Sequence, residues 1–298
     1  MIARSVASLT LAALLLDANS WRPPVSQAAE IVELFVTATN ARGQAVRHLT
    51  LQDFELMDGD KAAEILSVRP AQETFTGGVI FDVSSSMAPI GESLAHAAAA
   101  VGSHLRSGDR LWPATVAQRT LIAPSPVETR AQLIEAANQL RQPHGPSPLW
   151  DALAKMMDTM RGESGRRVVV AYTDGRVNGN TLDAESVMRR AIADGYVVYF
   201  VSPEEREAAA VPGFAPPGEA LENFSRATGG TRLVAMSRPG GGSASRVGIA
   251  FAGLMSELRA QYRVTFRAAV GDGAFRTLTV RVLRPGVTAR TRTVYLSR

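Results

Sequence analysis

Between Val79 and Leu258 the chain alternates short apolar runs of strand length with stripes of helical period, and this alternation limits the fold more than any other feature. The runs Val79–Phe81, Val168–Tyr172 and Tyr196–Val201 are apolar throughout, apart from tyrosine hydroxyls. Strands covered on both faces read that way. Between and around them lie Leu94–Leu105 and three helical stripes: Leu133, Ile134, Ala137, Leu140; then Leu149, Leu153, Met156, Met160; then Ala184, Val187, Met188, Ala191. Leu221, Phe224 and Thr228 mark another helix, closed by Gly229-Gly230. Val247, Phe251, Leu254 and Leu258 mark the last, after the glycine-rich stretch Pro239–Ser243. Leu111–Val116 has strand character despite Pro113. The expectation is an α/β domain with a doubly wound, mostly parallel, Rossmann-like sheet.

The two ends read differently. Ile31–Thr39, Phe54–Met57 and Ala63–Val68 at one end, and Tyr262–Arg267, Phe275–Leu283 and Arg290–Leu296 at the other, have strand patterns. Turn residues separate them: Asn40–Gly43, Asp58-Gly59-Asp60, Gly271-Asp272-Gly273 and Pro285-Gly286. Neither end has enough strands for a stable sheet alone. Pairing them would make one β-sandwich from which the α/β domain projects; two independent terminal β units are the alternative. The division expected is a leader at 1–28, an N-terminal β segment at 29–74, the α/β domain at 75–260 and a C-terminal β segment at 261–298.

The leader is a processing signal. Arg4 precedes the apolar Val6–Leu16, and Ser26-Gln27-Ala28 offers small residues for cleavage after Ala28. The apolar run is too short for a bilayer, which takes about 20 residues. An exported protein follows, periplasmic or extracellular at the cell surface, with no stable membrane span after cleavage. The absence of cysteine excludes disulfides, thiol catalysis and cysteine-ligated zinc. Net charge is +4, and only Lys61 and Lys155 among the 32 basic residues are lysines. The arginines are scattered rather than gathered in a patch, so no nucleic-acid partner is expected.

Chemistry gathers at strand ends. Asp82-Val83-Ser84-Ser85-Ser86 begins where the run Val79–Phe81 stops, and ligands of open parallel sheets bind at the carboxyl ends of strands. A carboxylate and two hydroxyls at alternate positions can converge on one hard cation, which wants several oxygen ligands. Asp174, in Tyr172-Thr173-Asp174-Gly175, stands at the end of the run Val168–Tyr172, one residue beyond it, and Ser147 precedes the helix that starts near Leu149.

Asp82-Val83-Ser84-Ser85-Ser86-Met87 with Thr173-Asp174-Gly175 resembles the metal-ion-dependent adhesion site of von Willebrand factor A domains. The resemblance implies Ser84 and Ser86 as direct ligands, with Asp82 and Asp174 acting largely through water or behind the ligands. Ser147, in Gly145–Ala152, stands where the family usually has threonine, and here prolines flank it. The implied ion is a divalent cation, Mg²⁺ first, with Mn²⁺ or Ca²⁺ as alternatives. Thr50–Leu56 and Glu257–Tyr262 resemble the segments that bracket the A domain in exported "VWFA-related" bacterial proteins. Two carboxylates leave a dication with no net charge and an open position, so a protein partner offering an acidic residue is implied. A metal-independent scaffold with a vestigial site is the other reading.

No enzyme is expected. There is no G-x-S-x-G elbow, P-loop or H-E-x-x-H. His96 and His104 could share a helix face, and His144 lies three residues before Ser147 without an evident orienting acid.

Overall fold

The computed structural model describes residues 30–71, 74, 76–88, 94–163, 165–203, 217–235, 243–268 and 271–298. The expected leader at 1–28 and the glycine-rich residues 239–242 lie outside them. In chain order the elements are β1 (Ile31–Asn40), β2 (Phe54–Asp58), β3 (Lys61–Ala62), β4 (Ile65–Pro70), β5 (Thr76–Asp82), α1 (Leu94–Gly102), β6 (Arg110–Val116), β7 (Thr120–Ile122), α2 (Arg130–Gln139) and α3 (Leu149–Thr159). Then come β8 (Arg167–Tyr172), α4 (Ala184–Ala193), β9 (Tyr196–Pro203), α5 (Pro217–Thr228), β10 (Arg232–Ala235), α6 (Ser243–Ala260), β11 (Tyr262–Arg267), β12 (Phe275–Val282), β13 (Val287–Arg290) and β14 (Val294–Leu296).

The middle of the chain is the doubly wound α/β domain that the alternation implies. Its six-stranded sheet runs β10-β9-β8-β5-β6-β7, parallel except for β7. Alternate residues of each buried strand feed opposite faces. Val79, Phe81, Val168, Val170, Tyr199 and Val201 pack beneath α1, α2 and α6, with Leu133, Phe251 and Leu254. Ile80, Val169, Ala171, Val198 and Phe200 pack beneath α3, α4 and α5, with Leu153, Val187 and Phe224. Continuous apolar strands are therefore explained by helices on both sides. Close approach matters at one point: a Cβ at Gly78 would lie 2.6 Å from the Met156 side chain, so glycine lets α3 settle onto the sheet.

Chain order sets the crevice. From β5 the chain winds outward through β6 and β7, then returns to β8 on the other side and proceeds to β9 and β10. The reversal falls between β5 and β8, so their carboxyl ends flank the switch point, where open α/β sheets hold ligands. Asp82 ends β5, and Thr173-Asp174 follows β8.

The strands of the two ends pair with each other. One sheet has the order β13-β1-β11-β4 and the other β14-β12-β2-β3. They enclose a common core that includes Val32, Leu34, Val36, Phe54, Leu56, Val264, Phe266, Leu278 and Tyr295. β11 lies between β1 and β4, with Tyr262 opposite both Val36 and Pro70.

Several local expectations need correction. α1 stops at Gly102, so His104 lies beyond the helix and shares no helical face with His96. The strand expected over Arg290–Leu296 takes in β14 and only the last residue of β13, whose start at Val287–Ala289 falls outside that expectation. β13 pairs with β1, the chain crosses at Thr291–Thr293, and β14 pairs with β12 in the facing sheet. Both halves alternate with period two, so the pattern conceals the crossing. β7 and β10, with three and four residues, are too short for periodicity to reveal. Among the described residues no helix is long and apolar enough to cross a membrane.

Candidate metal centre

Asp82, Ser84, Ser86, Ser147 and Asp174, separated by up to 92 positions in sequence, meet at the switch point. The Asp82 carboxylate is the hub. Its Oδ1 accepts the Ser84 N–H at 2.9 Å, and its Oδ2 accepts the hydroxyls of Ser147 at 2.8 Å and Thr173 at 2.7 Å. Asp82, Ser84, Ser147 and Thr173 are all buried. Burial pushes the Asp82 carboxyl up from the ordinary aspartate range, and the donors from Ser84, Thr173 and Ser147 work against that rise.

The outer half is a chain of oxygens. Ser84 Oγ lies 3.2 Å from Ser86 Oγ, and the Ser86 hydroxyl donates to Asp174 Oδ1 at 3.2 Å. Asp174 also accepts the Arg176 N–H at 3.1 Å, and Arg176 Nε stands 3.9 Å from its Oδ2. The loop after β5 is held from three sides. Val83 N–H donates to Val116 O, Ser85 N–H to Gly145 O, and Met87 N–H to Ser84 O.

Thr173, Asn178, Asn180 and Asp151 belong to this arrangement; Thr173 and Asp151 lie within the segments that carry the resemblance, but no role is expected of any of the four from sequence. Thr173 Oγ1 donates to Asp82 and accepts the Gly175 N–H at 3.1 Å, joining the two acidic loops. Helix α3 begins at Pro148, which has no side chain to cap it. The loop after Asp174 supplies the caps instead. Asn178 Oδ1 accepts the Ser147 N–H at 2.8 Å while its own N–H donates to Ser147 O at 3.0 Å. Asn180 Oδ1 accepts the Trp150 N–H at 2.8 Å. In return, the Asp151 carboxylate accepts the N–H groups of Thr181 and Leu182 and the Thr181 hydroxyl. Orphan donors at a helix start require such partners. Here they lock the Ser147 loop to the Asp174 loop. An Asn in a turn is too common a signal to predict that lock from sequence.

The donor set suits a hard cation. Every group is oxygen, with two carboxylates and three serine hydroxyls. Among the described residues no three histidine, aspartate or glutamate side chains gather to hold an ion, so hydroxyls must supply part of any coordination here. Adjacent ligands around an octahedral Mg²⁺ lie about 2.9 Å apart, and around Ca²⁺ about 3.4 Å apart. The two 3.2 Å spacings at Ser86 fall between these values. The residues fit a small divalent ion.

The same geometry disfavours a hydrolase. Ser147 directs its hydroxyl at Asp82, and His144 Nδ1 lies 2.7 Å from the Val83 carbonyl, which makes Nδ1 a donor. His144 and Ser147 therefore form no base–nucleophile pair.

The model of the von Willebrand factor type A domain matches residues 80–232. No curated protein matches the chain significantly. Among solved structures, a von Willebrand factor type A protein from Catenulispora acidiphila is similar with 12% identity and a TM-score of 0.50, over 92% of this chain and 75% of that one. Proximal thread matrix protein 1 from the mussel byssus, with a zinc-occupied MIDAS motif, is 16% identical with a TM-score of 0.49, and the match spans 67% of this chain and 49% of that one. The conserved hypothetical protein BatB from Bacteroides thetaiotaomicron is 14% identical with a TM-score of 0.46, over 61% of this chain and 98% of that one. At such identities these likenesses concern fold. With the family model spanning more than half of the chain, and with a doubly wound sheet that brings Asp82 and Asp174 to its switch point, the chain belongs to the von Willebrand factor type A domain family.

Proposed function

We propose that the protein is an exported binding module that captures a carboxylate of a protein partner through a divalent cation held by Asp82, Ser84, Ser86, Ser147 and Asp174. The observation that carries this reading is the continuous oxygen network from buried Asp82, through Ser84 and Ser86, to Asp174. Domains of this family serve as adhesion and protein-interaction modules. Ser84 and Ser86 would hold the ion directly, Ser147 would complete the set from the α3 side, and the two aspartates would fix the hydroxyls and balance the charge. A bound dication would supply an electrophilic seat for one anionic oxygen. Neutral hydroxyl ligands leave such an ion short of negative charge, which favours a carboxylate from outside. Mg²⁺ is the ion the family resemblance puts first; the 3.2 Å spacings lie between the Mg²⁺ and Ca²⁺ values, so Mn²⁺ and Ca²⁺ compete with it. The apolar leader at 6–16 supports export.

The test is calorimetric titration of the purified protein with Mg²⁺ and Mn²⁺. Binding that raises the melting temperature and disappears in Ser84→Ala and Asp82→Ala is expected. Absence of any binding, or binding unaffected by both substitutions, would overturn the reading in favour of a metal-independent scaffold.

A further inference from the structure

We propose that the rim of this site reads a second acidic residue of the partner, through Arg141 on the Asp82 side and Arg176 on the Asp174 side. This rests on the metal-dependent reading above and narrows the partner to an acidic segment of polypeptide.

The rim is made of residues 83–88, 117–119, 140–148 and 173–183, and its charges are one-sided. It carries Arg119, Arg141 and Arg176 with His144. Its carboxylates are Asp174, which belongs to the site, and Asp183, which caps α4 by accepting the N–H and hydroxyl of Ser186 at 2.8 and 2.6 Å. Among the described residues, then, no free carboxylate stands on the rim to balance the arginines.

The two arginines stand on different loops of the rim, Arg141 after α2 and Arg176 after β8. Arg176 has about half of its side chain exposed and reaches Asp174 only at 3.9 Å, too long for a hydrogen bond. A dication at the site would take over its task of balancing Asp174 and release the guanidinium outward. Arg141 is exposed, gives one N–H to Asn138 Oδ1 at 3.1 Å, and has no carboxylate within salt-bridge reach among the described residues. With Gln142 and His144 it forms the lip of a cleft of about 390 Å³ that opens beside Asp82 and Val83. A chain bringing one carboxylate to the ion thus finds Arg141 at the cleft beside Asp82 and Arg176 beside Asp174, where a second carboxylate can reach either.

Guanidinium groups bind carboxylates through paired, charge-assisted hydrogen bonds, and rim charges set partner choice and encounter rate. A nucleic acid is the poorer fit. The nearby aromatics Trp150 and Tyr172 are buried, so among the described rim residues His144 is the one exposed ring and no phenylalanine, tyrosine or tryptophan is offered for base stacking, and the cations sit apart rather than along a track.

The probes are short Gly-Ser peptides, one carrying a single Glu and one carrying that Glu between further glutamates, titrated calorimetrically in Mg²⁺. The flanked probe should bind about tenfold tighter at low salt, with the ratio shrinking as salt rises. In Arg141→Gln/Arg176→Gln the ratio should fall toward one. In Arg141→Glu/Arg176→Glu it should reverse in favour of a probe whose Glu is flanked by lysines. Equal binding of both probes to the unaltered protein, binding of neither, or a preference that survives the double Gln substitution overturns the proposal. So does tighter binding of a single-stranded oligonucleotide. The metal reading fails separately, by binding of the single-Glu probe that persists in chelator.

Discussion

Replacing Arg290 with methionine should weaken the union between the A domain and the β-sandwich. Arg290 ends β13, and its guanidinium donates to the carbonyls of Gly229 at 3.1 Å and Gly230 at 2.5 Å, just past α5. It also pairs with Glu257 of α6, whose Oε1 accepts the hydroxyls of Thr37 at 3.3 Å and Tyr199 at 3.0 Å. One arginine thus ties together strands of both units and the helix between them. Methionine keeps an unbranched stem of similar bulk and supplies no donor, leaving two carbonyls and a carboxylate under-satisfied. Removing one member of a fully buried pair costs about 3–5 kcal/mol. The Arg290 and Glu257 side chains are 28% and 21% exposed, so water recovers part of this. The expected loss is about 2–3 kcal/mol. At about 2–4 °C per kcal/mol for a chain of this size, the melting temperature should fall by roughly 4–12 °C. Circular dichroism melts measure it, and amide exchange should show β1 and β13 losing protection before β8. Glu257→Gln alone should cost less, and adding it to Arg290→Met should add little, because both disable one contact. A melting temperature within about 1 °C of the unaltered protein, or costs that add in full, would refute the network's part in holding the units together.

Asn178→Ala should reduce Mn²⁺ affinity about tenfold by freeing the Ser147 loop, with Asn178→Asp restoring much of it because an acceptor for the Ser147 N–H returns; electron paramagnetic resonance of bound Mn²⁺ reads this apart from stability. Gly230→Ala should cost more than about 3 kcal/mol, since a Cβ there would lie 1.9 Å from the Val198 carbonyl oxygen, and a denaturant melt measures the loss. Burial, with the neighbouring Glu257, pushes the Tyr199 hydroxyl up to about 12. A folded-state value above the unfolded one means that its contribution is complete below about pH 10 and is lost as pH rises toward 12, so Tyr199→Phe should flatten that alkaline decline by about 2–3 kcal/mol. Deleting residues from Tyr262 onward removes the strand between β1 and β4, and both should then exchange their amide protons freely; continued protection would mean that the N-terminal strands stand alone.

The buried strands were legible because coverage on both faces leaves a continuous apolar run, as in Val168–Tyr172. Asp82 and Asp174 were legible because each stands at the end of such a run, Asp82 directly after it and Asp174 one residue on. The locking residues were not. Asn178 and Asn180 act by accepting N–H groups some 30 positions away, and nothing in their immediate neighbourhood records that. Strand crossing at Thr291–Thr293 was hidden for a related reason: alternation shows that a face is buried, not which sheet buries it. The Glu257–Arg290–Tyr199 contact joins three segments through Glu257 and Arg290, charged side chains that sequence patterns would assign to the surface.

The placement of β11 between β1 and β4 has a mechanical consequence. The A domain leaves the sandwich at Pro70 and returns at Tyr262, which are direct cross-strand partners, so its two tethers emerge side by side. On β1, Tyr262 faces Val36, while Ile31 lies at the opposite end beside Arg267. A pull on residue 30 against a load carried by the A domain therefore drags β1 and β11 past each other along their lengths. Strands loaded in this way must break their ladder of hydrogen bonds together rather than unzip one rung at a time. A module that holds a partner under tension would have its strongest direction along that line.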